Sequence, residues 1–275
     1  MLAQRLITAA IGIPVILGVI LLGGALYTAV AALILAIAAL EFVHALSPLV
    51  DADAQPRPLW QPRPAALIAA VGAAAMAVTA DEGFDEWTAV LIGAIGVGLL
   101  FGVSTGDSRR GMGEWLGIVA ALAYVGFLGS YVVFLRDLDD DGHWMLLALL
   151  GTWVTDTFAY GTGKLIGSHK MAPRVSPGKT WEGTAGALAG GFAGVVVLNW
   201  VLDLPVSTGE AALLGLMLPA LAVAADLGES MLKRGVGVKD TSELVPGHGG
   251  FLDRLDSVLF TVPLVYYFAV WVVLD

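Results

Sequence analysis

The chain has 275 residues, 57% of them hydrophobic and 14% charged, with a mean hydropathy of +0.82. A soluble domain carries about 25% charged residues, and a single core of this length could not hide so much apolar surface, so part of the solvent is lipid. A net charge of −10 argues against nucleic acid as the main partner, and the absence of cysteine excludes disulfides, thiol nucleophiles and thiolate metal sites.

A helix needs about 20 mostly apolar residues to cross the hydrocarbon. Runs of that kind fall near 5–23, 26–46, 64–80, 87–104, 114–135, 144–165, 183–201, 211–229 and 257–274. The expected fold is therefore all-α: a polytopic membrane protein with about nine transmembrane helices. The first run follows Arg5 as a signal peptide would, but it is long and a second run follows at once, so it is read as a retained span. Gly23-Gly24 reads as a tight hairpin between these two. The proline-rich stretch 47–63, SPLVDADAQPRPLWQPR, is the clearest linker. The whole of 1–275 is taken as one integral membrane domain, with N-terminal helices over 1–135 and catalytic helices and loops over 144–275.

Charge supplies an independent check on the count. Nine spans place Arg5, Arg57, Arg63, Arg109, Arg110, Lys164, Lys170, Arg174, Lys179, Lys233, Arg234, Lys239 and Arg254 on or bordering one side. Arg136 alone lies on the other, among acidic loops such as Asp81–Glu86 and Arg136–His143. That asymmetry makes the first side, with the N-terminus, cytoplasmic. A multi-pass protein of the cell (inner or plasma) membrane is expected, with its polar site facing the cytoplasm.

Two cytoplasmic loops carry the chemistry. The stretch Gly161–Thr184 combines lysines, arginines, hydroxyls and glycines. The stretch Asp226–Asp256 sets Lys233, Arg234, Lys239 and Arg254 among Asp226, Asp240, Asp253 and Asp256. Cations interleaved with glycines and hydroxyls suit phosphate, since cations balance its charge and glycines admit backbone N–H groups. Carboxylates at the same place would repel phosphate unless a divalent cation lies between, so the pattern suggests a Mg2+-bridged polyphosphate. Positive-inside topology alone could explain the basic residues of the first loop, but it does not require the His-Gly-Gly and Asp-Arg-x-Asp of the second.

SPGKT, Ser176–Thr180, ends like a P-loop, but the first glycine of that motif would fall at Pro173, and a span rather than a strand is expected before it. A P-loop is rejected. Ionisable residues inside spans are a second pointer, because each is costly in lipid and faces a partner or cavity. Asp156 lies in the sixth span, Asp226 and Glu229 end the eighth, and Glu41 and His44 close the second. Glu41 and His44 share a helix face, and a structural hydrogen bond near the interface is the expected role for both. For Asp156, site and structural roles stand level.

The segment Ser230–Asp256, SMLKRGVGVKDTSELVPGHGGFLDRLD, resembles the signature of the phosphatidate cytidylyltransferase (CDP-diacylglycerol synthase) family. Ser230, Lys233, Arg234, Lys239, Asp240, Pro246, His248, Gly249, Gly250, Asp253, Arg254 and Asp256 fill its specified positions, and Val245 stands where the family usually has Ile, Leu or Phe. The likeness is strong over roughly 150–260 and only general, in hydropathy, before that. It implies an enzyme joining CTP and phosphatidate to give CDP-diacylglycerol and pyrophosphate, within membrane lipid, and it suggests a homodimer. On this basis Asp226, Asp253 and Asp256 are candidates to hold Mg2+, with or without a second cation. Lys233, Arg234, Lys239 and Arg254 would contact phosphate, or Arg254 would orient an aspartate, and Ser230 belongs to the same nucleotide-binding set. Ser176, Lys179 and Thr180 would contact phosphate from the other loop. Gly249 and Gly250 would allow a turn or a close backbone approach. His248 would either assist the departing pyrophosphate or fix that turn, with the second favoured. A CTP-dependent kinase of a lipid alcohol would use the same nucleotide and metal, whereas a cation or solute transporter would spread its carboxylates along a pathway.

Overall fold

Among the residues that the computed structural model describes, 2–50, 59–245, 247 and 249–274, each of the nine apolar runs lies on a helix. Helix accounts for 79% of the described residues. Among the described residues six helices are long and apolar enough to cross a membrane: Gly24–Leu49, Phe84–Ser104, Ser108–Arg136, Trp181–Val201, Thr208–Gly235 and Leu252–Val273. The other three runs give shorter or more polar helices. Thr8–Leu22 and Pro64–Ala80 are apolar but shorter, the latter 17 residues or about 26 Å at 1.5 Å per residue. His143–Ile166 is long enough, but Thr152, Thr155, Asp156 and Thr157 lower its hydropathy. The protein is an all-α, multi-pass membrane protein with one small addition, described below.

The chain divides into two compact units. The first comprises Met1–Phe134 and Gly235–Arg254. Its helices are α1 (Leu2–Leu22), α2 (Gly24–Val50), α3 (Pro64–Ala80), α4 (Phe84–Ser104) and α5 (Ser108–Ala121), which continues through a π-helical segment, Leu122–Phe127, into α6 (Leu128–Arg136). The expected Gly23-Gly24 hairpin is present, with φ of +61° and +58°, values that side chains resist. The linker begins later than expected, because Ser47–Val50 continue α2 through Pro48. A proline near a helix end removes only one late main-chain hydrogen bond, and the apolar run carries on past it. Arg57 and the rest of 51–58 lie outside the described residues.

Alanine-rich α3 is the buried centre of this unit, with Ala65, Ala69, Ala73, Met76 and Ala77 at most 0% exposed. Small residues let helix axes approach closely where lipid supplies no hydrophobic drive between helices. Trp87 on α4 is buried among Phe127, Phe134 and Tyr131, its ring 4.9, 5.3 and 6.0 Å from theirs. The Tyr27 hydroxyl donates to the Val132 carbonyl at 2.8 Å, tying α2 to α6.

The second unit comprises Leu135–Arg234 and Leu255–Asp275. It contains α7 (His143–Ile166), strands β1 (Lys170–Ala172) and β2 (Ser176–Thr180), α8 (Trp181–Val201) and α9 (Thr208–Gly235). After the short α10 (Leu252–Leu255), α11 (Val258–Phe268) ends in a π-helical segment, Ala269–Val273. The antiparallel pair β1–β2, with Lys170 opposite Thr180 and Ala172 opposite Ser176, corrects the expectation that no strand precedes SPGKT. The P-loop is still excluded: here SPGKT is itself the strand, and Pro173 holds the place of the first glycine.

Helices α7 and α8 meet along glycines of α8. A Cβ on Gly190 would overlap the Phe158 ring, and one on Gly186 would overlap Thr162. Thr152 of α7 and Thr261 of α11 share a buried hydroxyl hydrogen bond of 2.8 Å. Arg136, expected on the opposite side from the other basic residues, is 5% exposed and donates to the Asp139 and Asp140 carbonyls at 2.9 and 3.0 Å. Asp139 in turn accepts from the His143 and Trp144 amides and so caps α7.

Candidate active site

In the second unit the first loop singled out by sequence meets the start of the second, Asp226–Arg234. β2 runs into α8, and the Thr180 side chain caps that helix by accepting from the Gly183 amide at 3.1 Å. The residue before it, Lys179, points to the C-terminal half of α9. Its ammonium is 2.7 Å from Asp226 Oδ2 and 3.3 Å from the Val223 carbonyl. Arg234, exposed at the end of α9, donates through Nε to the Val175 carbonyl at 3.4 Å. Hairpin and helix end thus hold each other through cations that the sequence assigned to phosphate. The pair is partly buried, with side-chain exposures of 20% for Lys179 and 35% for Asp226.

One turn beyond Asp226, Glu229 is buried and accepts from Lys233 Nζ at 2.9 Å. Sequence reading placed Lys233 at phosphate but gave Glu229 no role in the site. Their i, i+4 spacing on one helix was the available signal. Ser176 and Ser230 are half-buried in the same unit, while Asp156 is exposed on α7. Asp256 is half-buried, with Oδ1 accepting from the Ser257 amide at 2.6 Å. His169 and Glu182 add an exposed pair of 2.6 Å that closes the base of the hairpin.

The first unit holds the other half of the signature, Gly235–Arg254. Here Val245 N–H donates to the Gly249 carbonyl at 2.8 Å, closing the turn that was read from Pro-x-His-Gly-Gly. Gly247 and Gly249 have φ of +78° and +84°. Pro246 and His248 lie outside the described residues. Asp253 is 4% exposed, and its Oδ2 accepts from Thr241 N, Thr241 Oγ1 and Gly250 N at 2.9, 3.0 and 2.8 Å. Asp253 lies on α10, which ends at Leu255, one residue short of Asp256. Lys239 and Arg254 are exposed.

Glycine at 249 and 250 is required for more than the turn. A Cβ on Gly249 would come 2.7 Å from Asp253 Oδ2, and one on Gly250 would overlap the Thr241 hydroxyl and the Glu41 carboxylate. Glu41 itself, on α2, is 0% exposed. Its Oε1 accepts from Ser242 Oγ at 2.6 Å and Phe251 N at 3.1 Å, and its Oε2 from Leu252 N at 2.8 Å and Thr241 Oγ1 at 3.4 Å. A structural hydrogen bond was expected for Glu41, but not that its partners would be the signature segment. Nothing in a single sequence links residues 200 positions apart.

Among the described residues no three His, Asp or Glu side chains converge on a metal position. Mg2+ does not need three, since it keeps several waters and takes one or two carboxylates together with substrate phosphates. Carboxylates such as Asp226 and Asp256 are donors of the right hardness for that role.

Comparison with known proteins bears on the whole chain. The model of the cytidylyltransferase family matches residues 3–272. A phosphatidate cytidylyltransferase of Synechocystis is 31% identical over 97% of this chain and 96% of its own length. Those of Bacillus subtilis and Staphylococcus haemolyticus are 38% and 39% identical, over 54% and 53% of this chain. These two matches span little more than half of each relative, 56% and 55%. By the reach of the family model and the full-length relative, the chain belongs to the cytidylyltransferase family.

Proposed function

We propose that the protein is a phosphatidate cytidylyltransferase, joining CTP and phosphatidate to give CDP-diacylglycerol and pyrophosphate. The observation that carries the reading is the Lys179–Asp226 pair, which joins a cation-rich hairpin to the signature-bearing end of α9. Family membership and the names of the relatives support the same reaction.

In this reaction a phosphate oxygen of phosphatidate attacks the α-phosphorus of CTP in line, and the bond to pyrophosphate breaks. The attacker is already an anion, so the barrier is repulsion between two polyanions rather than removal of a proton. Positioning and charge neutralisation are then the main work of the protein. Lys179, Lys233, Arg234, Lys239 and Arg254 are the cations for the triphosphate and the lipid phosphate. Ser176, Thr180 and Ser230 supply hydroxyls, and Gly249 and Gly250 admit the close approach of Asp253, Thr241 and Glu41 that shapes the signature turn. Asp226, Asp253 and Asp256 are the candidate carboxylates for Mg2+, which would neutralise phosphate charge as a Lewis acid. His248 is assigned to fixing the turn rather than to the leaving group.

The nine-span topology with a cytoplasmic N-terminus belongs to the same proposal, supported by the asymmetry of Lys and Arg. It lets CTP reach the signature loops from the cytoplasm of a bacterial-type plasma membrane while the lipid keeps its tails in the bilayer. The homodimer that the resemblance implies is part of it as well. Incubation of the purified protein with CTP, phosphatidate and Mg2+ tests the reaction: CDP-diacylglycerol and pyrophosphate should accumulate together. A folded protein that makes neither rejects the proposal.

A further inference from the structure

We propose that Glu41, on a helix far from the signature in sequence, is a positioning residue of the reaction: its buried carboxylate sets the backbone that presents Asp253 and Arg254. The inference rests on the cytidylyltransferase reading above.

A carboxylate at 0% exposure is tolerated only when its oxygens are satisfied. Glu41 meets that demand through four groups of one segment, three donating to it and the Thr241 hydroxyl lying 3.4 Å away. Two are the amides of Phe251 and Leu252, the two residues directly before Asp253. The other two are the hydroxyls of Thr241 and Ser242, at the far end of the same loop. One side chain therefore pins both ends of the loop to helix α2, whose neighbouring residues Ala38, Ala39, Phe42 and Val43 are buried.

Thr241 couples this anchor to Asp253. Its hydroxyl lies 3.0 Å from Asp253 Oδ2 and 3.4 Å from Glu41 Oε2. A hydroxyl has one proton, so it donates to one carboxylate at a time, and the shorter contact favours Asp253. Gly250, between the two carboxylates, leaves no room for a side chain, so the three groups form one packed unit. The loop they hold contains Gly247 and Gly249 at positive φ and would be pliant without an anchor. Glu41 touches neither substrate in this scheme and acts through the peptide that it fixes.

The chemistry of glutamine makes the test sharp. An amide offers one acceptor and one donor, so in either orientation its NH2 would face the Phe251 or the Leu252 amide. Full-length Glu41→Gln in lipid nanodiscs would be compared with the unmodified protein by steady-state kinetics, thermal melting and amide hydrogen exchange. The expected result is a kcat lower by about 100-fold with both KM values within about 3-fold, as for a small misplacement of reacting groups. Exchange should quicken over 241–252 and stay unchanged in α3 and α4. Glu41→Asp, which keeps the charge but loses reach, should not restore kcat.

A folded Glu41→Gln protein with kcat within about 3-fold of normal would overturn the proposal. So would a loss confined to KM, or unchanged exchange over 241–252. If that variant does not fold, Ser242→Ala decides: it removes one donor and keeps the carboxylate, and kcat should fall about 5-fold at constant KM, as for one weakened positioning contact. Unchanged kcat there overturns the proposal equally. Failure of the unmodified protein to form CDP-lipid would instead reject the reaction, while the exchange comparison would still decide whether Glu41 anchors the loop.

Discussion

Lys179 and Asp226 lie 2.7 Å apart although 44 residues separate the lysine from the same turn of α9 at Val223. The pair brings a cation expected at phosphate against a carboxylate expected at a metal. The two charges offset each other at that distance.

Exchange of the two charges distinguishes that role from a structural tie. Lys179→Met or Asp226→Asn alone should lower turnover by about 100-fold or more, the cost typical of removing one electrostatic contact at a reacting centre. The double swap Lys179→Asp with Asp226→Lys keeps an ion pair and should recover thermal stability but not activity. Recovery of activity in the swap would reduce the pair to a brace between hairpin and helix.

Asp253 separates charge from shape. Asparagine can put its carbonyl oxygen where Oδ2 now accepts from Thr241 and Gly250, so Asp253→Asn should fold and lose turnover. Asp253→Ala removes that acceptor and should also destabilise the protein by about 1–3 kcal/mol, the cost of stranding buried donors. Near-normal turnover by the asparagine variant would remove Asp253 from the metal set.

Gly250→Ala should be costly in both stability and rate. Its new Cβ would overlap Thr241 and Glu41, and overpacking of this kind costs about 1–3 kcal/mol. Gly209→Ala, where a Cβ meets nothing within 4 Å, is the matched control. Equal melting temperatures for the two variants would contradict the packing described around Glu41.

Chelation addresses the metal. EDTA should abolish CDP-lipid formation, and Mg2+ should restore it without refolding, since hard oxygen donors bind the ion reversibly. Full activity in EDTA-treated, metal-free protein would leave Asp226, Asp253 and Asp256 without their proposed ligand.

Most of the helical plan was legible because hydropathy runs of about 20 residues carry their own signal. All nine runs proved helical among the described residues, and the Gly23-Gly24 hairpin lay where two such runs meet. The signature was legible too, since Ser230–Asp256 carries its spacing in one contiguous stretch. The β1–β2 hairpin was not. Its strands are three and five residues long and show no alternation that separates them from a loop. Ser47–Val50 were misread because Pro48 resembles a helix stop but falls late enough in α2 to be tolerated. Glu41 marks the deeper limit. Its polarity inside a span was visible, but its partners lie 200 to 211 positions away, and only folding brings them together.

The most direct test follows the label. Purified protein in phosphatidate-containing vesicles with Mg2+ would receive CTP labelled in either the α- or the γ-phosphate. The expected result is lipid labelled from the α-phosphate alone, with the γ-label leaving as pyrophosphate. Lipid labelled from the γ-phosphate, with CDP released, would contradict cytidylyl transfer and make the protein a lipid kinase.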